Sequence, residues 1–585
     1  MNSIAKALMV IAAAAAASAC TNGPKDGEYQ LDLLTTNDVH GSWFDSTYVG
    51  GPVKTSLMAV NSYVTQFCDS LGKDNVLLID AGDCLQGDNA AYYYNYIDTL
   101  SPHLFTGLVS YMGYEAIAVG NHDIETGHPV YDRIARELDV KGIPFLGGNA
   151  FKAGEEGRRY FPVTTILKKN GLKVAVLGYT NPNIRAWLDE GLWSGIEFKS
   201  LIPVVQEDVD EVIAKEHPHA VIVAVHSGTG DGDGTMYESQ GRDLLKTLRG
   251  VDFLICSHDH RALTIQQDSI CLINAGSHAK NIGHGRLNVR IEGGKVVSRE
   301  LSAELIKVDA RRADTVMREH FRPQFEKVKA FNVKEVGTLD TDLVTRDSYQ
   351  GMCPYMNLIH TLSLSSTGAQ ISFAAPLTFN RTVKSGKLIY NDLFTIYPYE
   401  NQLFTVKMTG QEIKDYLEYS YDMWIQTPSR ENGGHALKIR AGEDQRTGQQ
   451  TWHFIGRSYN FDSAAGLDYT VDITRPAGSR VSISGMADGG TFCADSTYTV
   501  AMTSYRASGG GGLMSEGAGI SPEESDSRII ARYPEMRVLL YEYLQKNGSI
   551  TESSISNPAV IGHWEFVPES AAEAVRKDMS LMFGF

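Results

Sequence analysis

Five short apolar runs in this chain each end in residues that bind cations or move protons. Leu31 to Leu34 leads into Thr36-Asn37-Asp38-Val39-His40-Gly41, and Val76 to Ile79 into Asp80-Ala81-Gly82-Asp83. Ala116 to Val119 leads into Gly120-Asn121-His122-Asp123, Val221 to Val225 into His226-Ser227-Gly228, and Phe253 to Cys256 into Ser257-His258-Asp259-His260. Neutral imidazole and carboxylate oxygen together suit Zn, Mn, Fe or Ni. The groups delivered in this way exceed what one four- to six-coordinate ion needs, so two ions are implied. A carboxylate can bridge two ions about 3.5–4 Å apart, a spacing that clamps the attacking and leaving oxygens of a phosphoryl transfer. Any one of these motifs alone is a common helix cap or turn; five in succession are not.

The elements that must position them follow from the same runs. From Tyr29 to about Leu305 short apolar runs alternate with longer amphipathic segments, the pattern of strands alternating with helices. In layered α/β folds ligands bind outside the carboxyl ends of the strands, so five strand ends converge their side chains on one cleft. No nucleophile elbow and no Walker A loop competes with a metal-centred reading. The loop Asp231-Gly232-Asp233-Gly234 is not a calcium loop, because its twelfth position is Arg242. His278 and His284, near the strand signal at Leu272 to Ala275, could sit beside the metals, but read first as structural histidines.

At 585 residues the chain is long enough for two to four folded units. Hydrophobic residues at 43% and charged at 21% exclude a disordered, collagen-like or multi-span membrane chain. A net charge of -17 with no long Lys/Arg run excludes a nucleic-acid polymer as ligand. Lys6 is followed by an uncharged apolar stretch, Ala7 to Ala19, too short to span a bilayer, and by Cys20. Residues 1–20 are similar to a bacterial lipoprotein signal whose Cys20 becomes acylated, with 21–28 as tether; an ordinary secretory peptide is the alternative. The remaining six cysteines contain no CxxC pair, which removes a zinc ribbon or dithiol motif.

The order Asp-x-His, Gly-Asp, Gly-Asn-His-Asp, His-Ser-Gly and His-x-His resembles the calcineurin-like metallophosphoesterases, in particular the bacterial 5'-nucleotidase / 2',3'-cyclic-nucleotide 2'-phosphodiesterase family. That resemblance implies Asp38, His40, Asp83 and His260 as ligands of one divalent ion, and Asp83, Asn121, His226 and His258 as ligands of the other, Asp83 bridging. It implies attack on phosphorus by a hydroxide held between two ions such as Zn or Mn. It makes His122 the residue that stabilises the transition state or protonates the leaving oxygen. The family often places Asp or Asn three residues later to orient that imidazole; here Glu125 stands there, and Asp123 is either a substitute or a cap.

In the second half, Tyr459-Asn460-Phe461-Asp462 and Ser504-Tyr505-Arg506-Ala507-Ser508, followed by Gly509 to Gly512, resemble the family's C-terminal nucleotide-binding domain. There two aromatic rings, here Tyr459 and Tyr505, sandwich the base; such stacking tolerates every base. Asn460 and Gly509 join that pocket by the same resemblance, and Arg381 and Arg506 are candidate phosphate holders because a guanidinium fork matches phosphate oxygens. Ser372-Phe373-Ala374-Ala375-Pro376, Tyr459 to Asp462 and the late His563-Trp564-Glu565-Phe566 look closer to the 2',3'-cyclic-nucleotide phosphodiesterases. Typical 5'-nucleotidases carry Asn-Gly-Gly-x-Arg where this chain has Leu377-Thr378-Phe379-Asn380-Arg381.

The expected architecture is therefore α/β: a four-layer metallophosphoesterase β-sandwich flanked by helices at 29–304, a linker helix at 305–335, a C-terminal α/β nucleotide-binding domain at 336–545 and a tail at 546–585. The expected protein is an exported, monomeric phosphohydrolase of nucleotides or cyclic nucleotides, lipid-anchored through Cys20 to a bacterial membrane at the periplasmic face or cell surface. The alternatives are a 5'-nucleotidase/UDP-sugar hydrolase and a non-catalytic nucleotide-binding lipoprotein.

Overall fold

The computed structural model describes residues 24–51, 53–443 and 448–584; Cys20 and the apolar leader lie outside the described residues. The chain forms two compact units. The first runs to Pro323 except for Tyr48–Gly50 and Ile184–Gly191, which belong with the second, from Gln324 onward.

Twelve strands of the first unit build two sheets: β1 (Gly27–Thr36), β2 (Val76–Asp80), β3 (Ala116–Ala118), β4 (Phe145–Leu146), β5 (Thr164–Lys169), β6 (Leu172–Tyr179), β7 (Ala220–Val225), β8 (Phe253–Ile255), β9 (Ala262–Gln267), β10 (Ile270–Ala275), β11 (Asn281–Glu292) and β12 (Lys295–Lys307). One sheet has the order β12-β11-β1-β2-β3-β4 and the other β9-β10-β8-β7-β6-β5. Leu31, Leu33, Leu77, Ile79, Val174, Val176, Ile222, Phe253, Ile255 and Leu287 fill the space between the sheets. The alternate residues Ala175, Leu177, Tyr179, Val221 and Val223 pack outward with Val205 and Val209 of the helix Leu201–Glu216. Strands buried on both faces explain why these runs are continuously apolar. Helices Leu57–Leu71 and His128–Val140 lie against β2 and β4, so the unit has the expected four layers.

Register decides where the motifs go. β1, β2 and β3 pair in parallel, with Thr36 opposite Asp80 and Asp80 opposite Ile117. β6, β7 and β8 also run parallel, with Tyr179 opposite Val225 and Ala224 opposite Ile255. All five ligand-bearing loops therefore leave from carboxyl ends, three from one sheet and two from the other.

The expected linker helix differs in detail. Its first residues, to Lys307, finish β12, and the helical part is two pieces, Thr315–His320 and Arg322–Asn332, separated at Phe321. Pro323 sits in the first turn of the second piece, where its missing N–H costs no hydrogen bond.

In the second unit a five-stranded sheet is formed by β13 (Ile371–Ala374), β14 (Gln402–Thr409), β15 (Ser463–Ala465), β16 (Thr497–Thr503) and β17 (Ile529–Glu535), in the order β15-β13-β16-β14-β17. The segment expected as a tail is built into this unit. Gly562–Val567 pairs in parallel with Leu467–Asp472, and the helix Glu569–Phe583 buries Ala571, Val575 and Met579 in the core. Those three residues recur every fourth position, the spacing of one apolar helical face.

Candidate functional site

At the carboxyl edge the ligand loops are tied to one another by backbone, and one of these bonds, from His278 N, joins the two sheets. Asp38 N donates to Gly82 O (2.9 Å), His40 N to Asp83 O (2.9 Å), Ser257 N to Ser227 O (3.1 Å) and His278 N to Asp38 O (2.8 Å). The turns are tight enough that Asp38, His40, Asp83, His258 and His260 all take positive φ, between 46° and 69°. Non-glycine residues held there cost free energy and concentrate at functional sites.

Two groups of converging side chains result: Asp38, His40 and His260, and Asp83, His226 and His258. In the first, His40 Nε2 and His260 Nε2 stand 2.9 Å apart, and His260 Nε2 lies 3.6 Å from Asp38 Oδ1. In the second, Asp83 Oδ2 and His226 Nε2 are 3.1 Å apart, both fully buried, and neither has a hydrogen-bond partner outside the pair. A buried carboxylate oxygen and imidazole nitrogen that meet only each other fit ligands that share a cation, which would satisfy both. Asn121 joins this group, its Oδ1 2.9 Å from His258 Nδ1. The structure thus brings all seven expected ligands to one edge.

The electrostatics divide the expected ligands: His40 and His258 are held neutral, whereas Asp38 and His226 hold a proton at neutral pH that a cation would displace. Burial pushes Asp38 up to about 8, with the Asp83 carboxylate adding to it. Burial holds His40 well below the usual imidazole value and takes His258 down to about 3, keeping both neutral and able to donate a lone pair. Burial also lowers His226, but the Asp83 carboxylate outweighs it and raises the group to about 9.

Several supporting residues escaped the sequence reading. The Asp123 carboxylate accepts from Gly120 N (2.8 Å) and from Asp83 N, Cys84 N and Leu85 N (3.0 Å each), tying two ligand loops together. Asn37 Nδ2 donates to Asp38 Oδ2 (2.6 Å) and its Oδ1 accepts from Ala275 N (3.0 Å). Asp259 accepts from Asn274 Nδ2 (2.8 Å) and Thr229 N (2.7 Å). Each lies within two residues of an expected ligand in sequence, which was the available signal. His278, expected to be structural, stands beside the site: its ring is 5.4 Å from that of His40. His284 is structural, buried between Asp32 (2.8 Å) and Glu304 (3.0 Å).

His122 lies at the rim, 32% exposed, its ring 5.4 Å from that of His40, and its backbone N–H donates to Asp83 Oδ1 (2.8 Å). Its Nδ1 is 2.5 Å from Glu125 Oε2, so the extra methylene of Glu125 is accommodated. A carboxylate at Nδ1 makes that nitrogen the protonated one.

In the second unit Tyr459, Tyr505 and Arg506 line one cavity of about 30 Å³, with Ala374, Ala375, Tyr397 and Met536 among its walls. Tyr399, unnoticed in sequence, sets its ring edge-on to Tyr459 at 6.5 Å. Asn460 Oδ1 accepts from Arg506 Nη1 (3.0 Å), and Gly509 opens the glycine turn at φ 98°. Arg506 does not fit its expected role: its side chain is 4% exposed and its guanidinium is spent on Asp462 (2.7 Å) and on carbonyls. Arg381 is exposed and absent from the cavity wall; its backbone pairs with Thr345. All six cysteines among the described residues are free thiols.

Residues 335–516 match the model of the 5'-nucleotidase C-terminal domain. This region is a 5'-nucleotidase C-terminal domain. The chain is 24% identical over 629 residues to a 2',3'-cyclic-nucleotide 2'-phosphodiesterase/3'-nucleotidase of Haemophilus influenzae, covering 96% of this chain and 91% of that one. It is 23% identical to the trifunctional nucleotide phosphoesterase YfkN of Bacillus subtilis over 93% of this chain, and spans 39% of that relative's length. A Staphylococcus aureus protein solved with alpha-ketoglutarate shares the fold, with a TM-score of 0.74 and 20% identity, covering 92% of this chain and 99% of that one.

Proposed function

We propose that the chain is a metal-dependent phosphohydrolase of nucleotides, with 2',3'-cyclic-nucleotide 2'-phosphodiesterase/3'-nucleotidase activity as its chemistry. The observation that carries this reading is the convergence of two side-chain groups, Asp38, His40 and His260, and Asp83, His226 and His258, at one edge of the fold. Asp38, His40, Asp83 and His260 would hold one divalent ion and Asp83, Asn121, His226 and His258 the other, Zn, Mn or similar. Bound there, the ions supply Lewis-acid polarisation of phosphate oxygen and a lowered pKa for water. The chain's own residues supply the rest. Glu125 fixes the His122 tautomer, leaving Nε2 to exchange a proton with the leaving oxygen, help worth about two to four orders of magnitude in rate. Tyr459 and Tyr505 stack the base.

The near full-length match to a relative named for the cyclic-nucleotide activity supports this reading. The C-terminal domain match favours a second reading, a 5'-nucleotidase/UDP-sugar hydrolase using the same ligands. In either reading the protein is exported, carries lipid on Cys20 and works as a monomer. Among the described residues no helix is long and apolar enough to cross a membrane.

The test is residues 21–585 loaded with Mn or Zn, assayed for phosphate and nucleoside release from 2',3'-cyclic AMP, 3'-AMP, 5'-AMP and UDP-glucose. Opening of the cyclic ester with 3'-AMP cleavage supports the first reading; 5'-AMP cleavage alone supports the second. Metal-loaded protein that binds nucleotides but turns over none of the four is a binding lipoprotein. Asp83→Ala is expected to lose metal and turnover together, and retained activity refutes the dimetal assignment.

A further inference from the structure

The two tyrosines of the nucleoside pocket are carried by turns that the sheet does not join. Tyr459 precedes β15 and Tyr505 follows β16, and β13 lies between those strands. Something else must set the distance between the rings. Arg506 reaches across. Its Nη2 donates to Tyr459 O (2.6 Å) and its Nη1 to Asn460 Oδ1 (3.0 Å) on one turn, and Nη1 donates to Gly510 O (2.9 Å) on the other.

Asp462 holds the guanidinium in place. Nε lies 3.1 and 3.0 Å from its two oxygens and Nη2 2.7 Å from Oδ1. Asp462 is itself anchored to the helix Gly410–Asp422: Tyr416 donates its hydroxyl to Oδ2 (2.5 Å), and Ser420 donates to the Asp462 carbonyl (2.7 Å). Tyr505 rests its ring flat against Gly510, so closely that a Cβ there would stand 2.4 Å from ring carbon. The ring also faces the Arg506 guanidinium, 5.2 Å away.

We propose that the buried Arg506–Asp462 pair is a positioning device that fixes the two tyrosine rings at base-stacking separation, and that Arg506 takes no part in holding phosphate. The planar fork matters here, because it serves Asp462, two carbonyls and an amide oxygen at once. A lysine keeps the charge but offers one nitrogen and cannot span both turns. The proposal rests on the reading that Tyr459 and Tyr505 bind the base.

The test compares the metal-loaded enzyme on its best nucleotide substrate and on β-glycerophosphate, which has no base. Tyr459→Ala and Tyr505→Ala examine the stacking reading itself. Arg506→Lys, Asp462→Asn and Gly510→Ala examine the positioning device. Each of these three is expected to raise nucleotide KM about 5- to 150-fold, the range that follows from losing one aromatic–base stack, with a small effect on kcat and a smaller loss on β-glycerophosphate. Equal losses on both esters in Arg506→Lys would make Arg506 a phosphate holder and overturn the proposal. A raised KM in the tyrosine variants with none in Arg506→Lys, Asp462→Asn and Gly510→Ala overturns it while sparing the stacking reading. Unchanged KM in the tyrosine variants overturns both. If thermal melting shows that the ion-pair variants do not fold, Tyr416→Phe and Gly510→Ala decide: the first frees Asp462 without removing charge, and both should still raise nucleotide KM at least about threefold.

Discussion

Gly120 carries the sharpest test of the metal edge. It sits just before Asn121 with φ −94° and ψ 170°, a backbone that any residue adopts, so alanine brings no conformational strain. What alanine brings is one carbon in the wrong place. A Cβ on residue 120 would lie 2.1 Å from Asp83 Oδ1, 2.3 Å from Asp83 N and 2.9 Å from Asp83 Cγ. Those are the atoms of the carboxylate expected to bridge the ions and of its own backbone, and neither is the loose end of a flexible chain. The Asp83 loop must retreat about 1.3 Å before the nearest contact reaches an ordinary 3.4 Å. Retreat is opposed by Asp123, whose carboxylate holds Asp83 N, Cys84 N, Leu85 N and Gly120 N together. Misplacing a catalytic group by about 1 Å costs about 10²-fold in rate, and disturbing the support of a metal ligand costs about 10- to 100-fold in metal affinity. Gly120→Ala should therefore lose at least about 100-fold in kcat/KM and retain less than the full two ions per chain after dialysis. Metal content by mass spectrometry and phosphate release on 2',3'-cyclic AMP and 5'-AMP measure both. A Gly120→Ala protein with two ions and kcat/KM within about twofold of the parent would show that the Asp83 position does not govern the chemistry.

Other expectations follow from the same geometry. Asp123→Asn replaces an acceptor of four backbone N–H groups by one with a single acceptor oxygen, and metal affinity should fall about 10- to 100-fold in a chelator competition. Glu125→Gln keeps the shape at His122 Nδ1 but removes the charge, so kcat should fall about tenfold or more with KM little changed; an unchanged kcat removes His122 from the proton transfer. His360 is buried in the second unit between Ser372 and Ser463, and burial takes its pKa down to about 4 from an ordinary 6.5. Its folded form refuses a proton that the unfolded chain accepts below pH 6.5, so the associated stability is full above that value and falls as pH drops toward 4. The loss is about 2 kcal/mol at pH 5, and denaturant melts of His360→Gln should show a shallower acid dependence by that amount.

The metal edge was largely legible in the sequence because each expected ligand lies within five residues of the end of its strand. An apolar run such as Ala220–Val225 fixes where the carboxyl end lies, and His226 is the next residue. The same directness failed where a side chain's fate depends on a distant partner. Arg506 looks like a phosphate holder until Asp462, 44 residues earlier, is found to occupy its guanidinium. Asp123 looks like a cap or a substitute for Glu125, and only the approach of the Asp83 loop shows its backbone acceptors in use. His278 read as structural because a lone histidine after a strand has no local mark of function; the turn that returns it to Asp38 O is a tertiary event. Residues 546–585 read as a tail because their strand pairs with Leu467–Asp472, nearly a hundred positions away.

The left-handed turns at this edge also bear on how the site can be changed. Five of the seven expected ligands occupy a conformation that glycine, asparagine, aspartate and histidine tolerate and β-branched or bulky residues do not. The backbone thus restricts the alphabet before any metal does: at positions 38, 40, 83, 258 and 260 exchanges among Asp, Asn and His keep the turn, whereas threonine or glutamate fights it. Asn121 opens a helix and His226 has no positive φ, which leaves those two as the positions open to a wider choice of donors. Retuning this edge for a softer metal should therefore begin at 121 and 226, and libraries that randomise all seven positions would spend most of their members on chains that cannot make the turn.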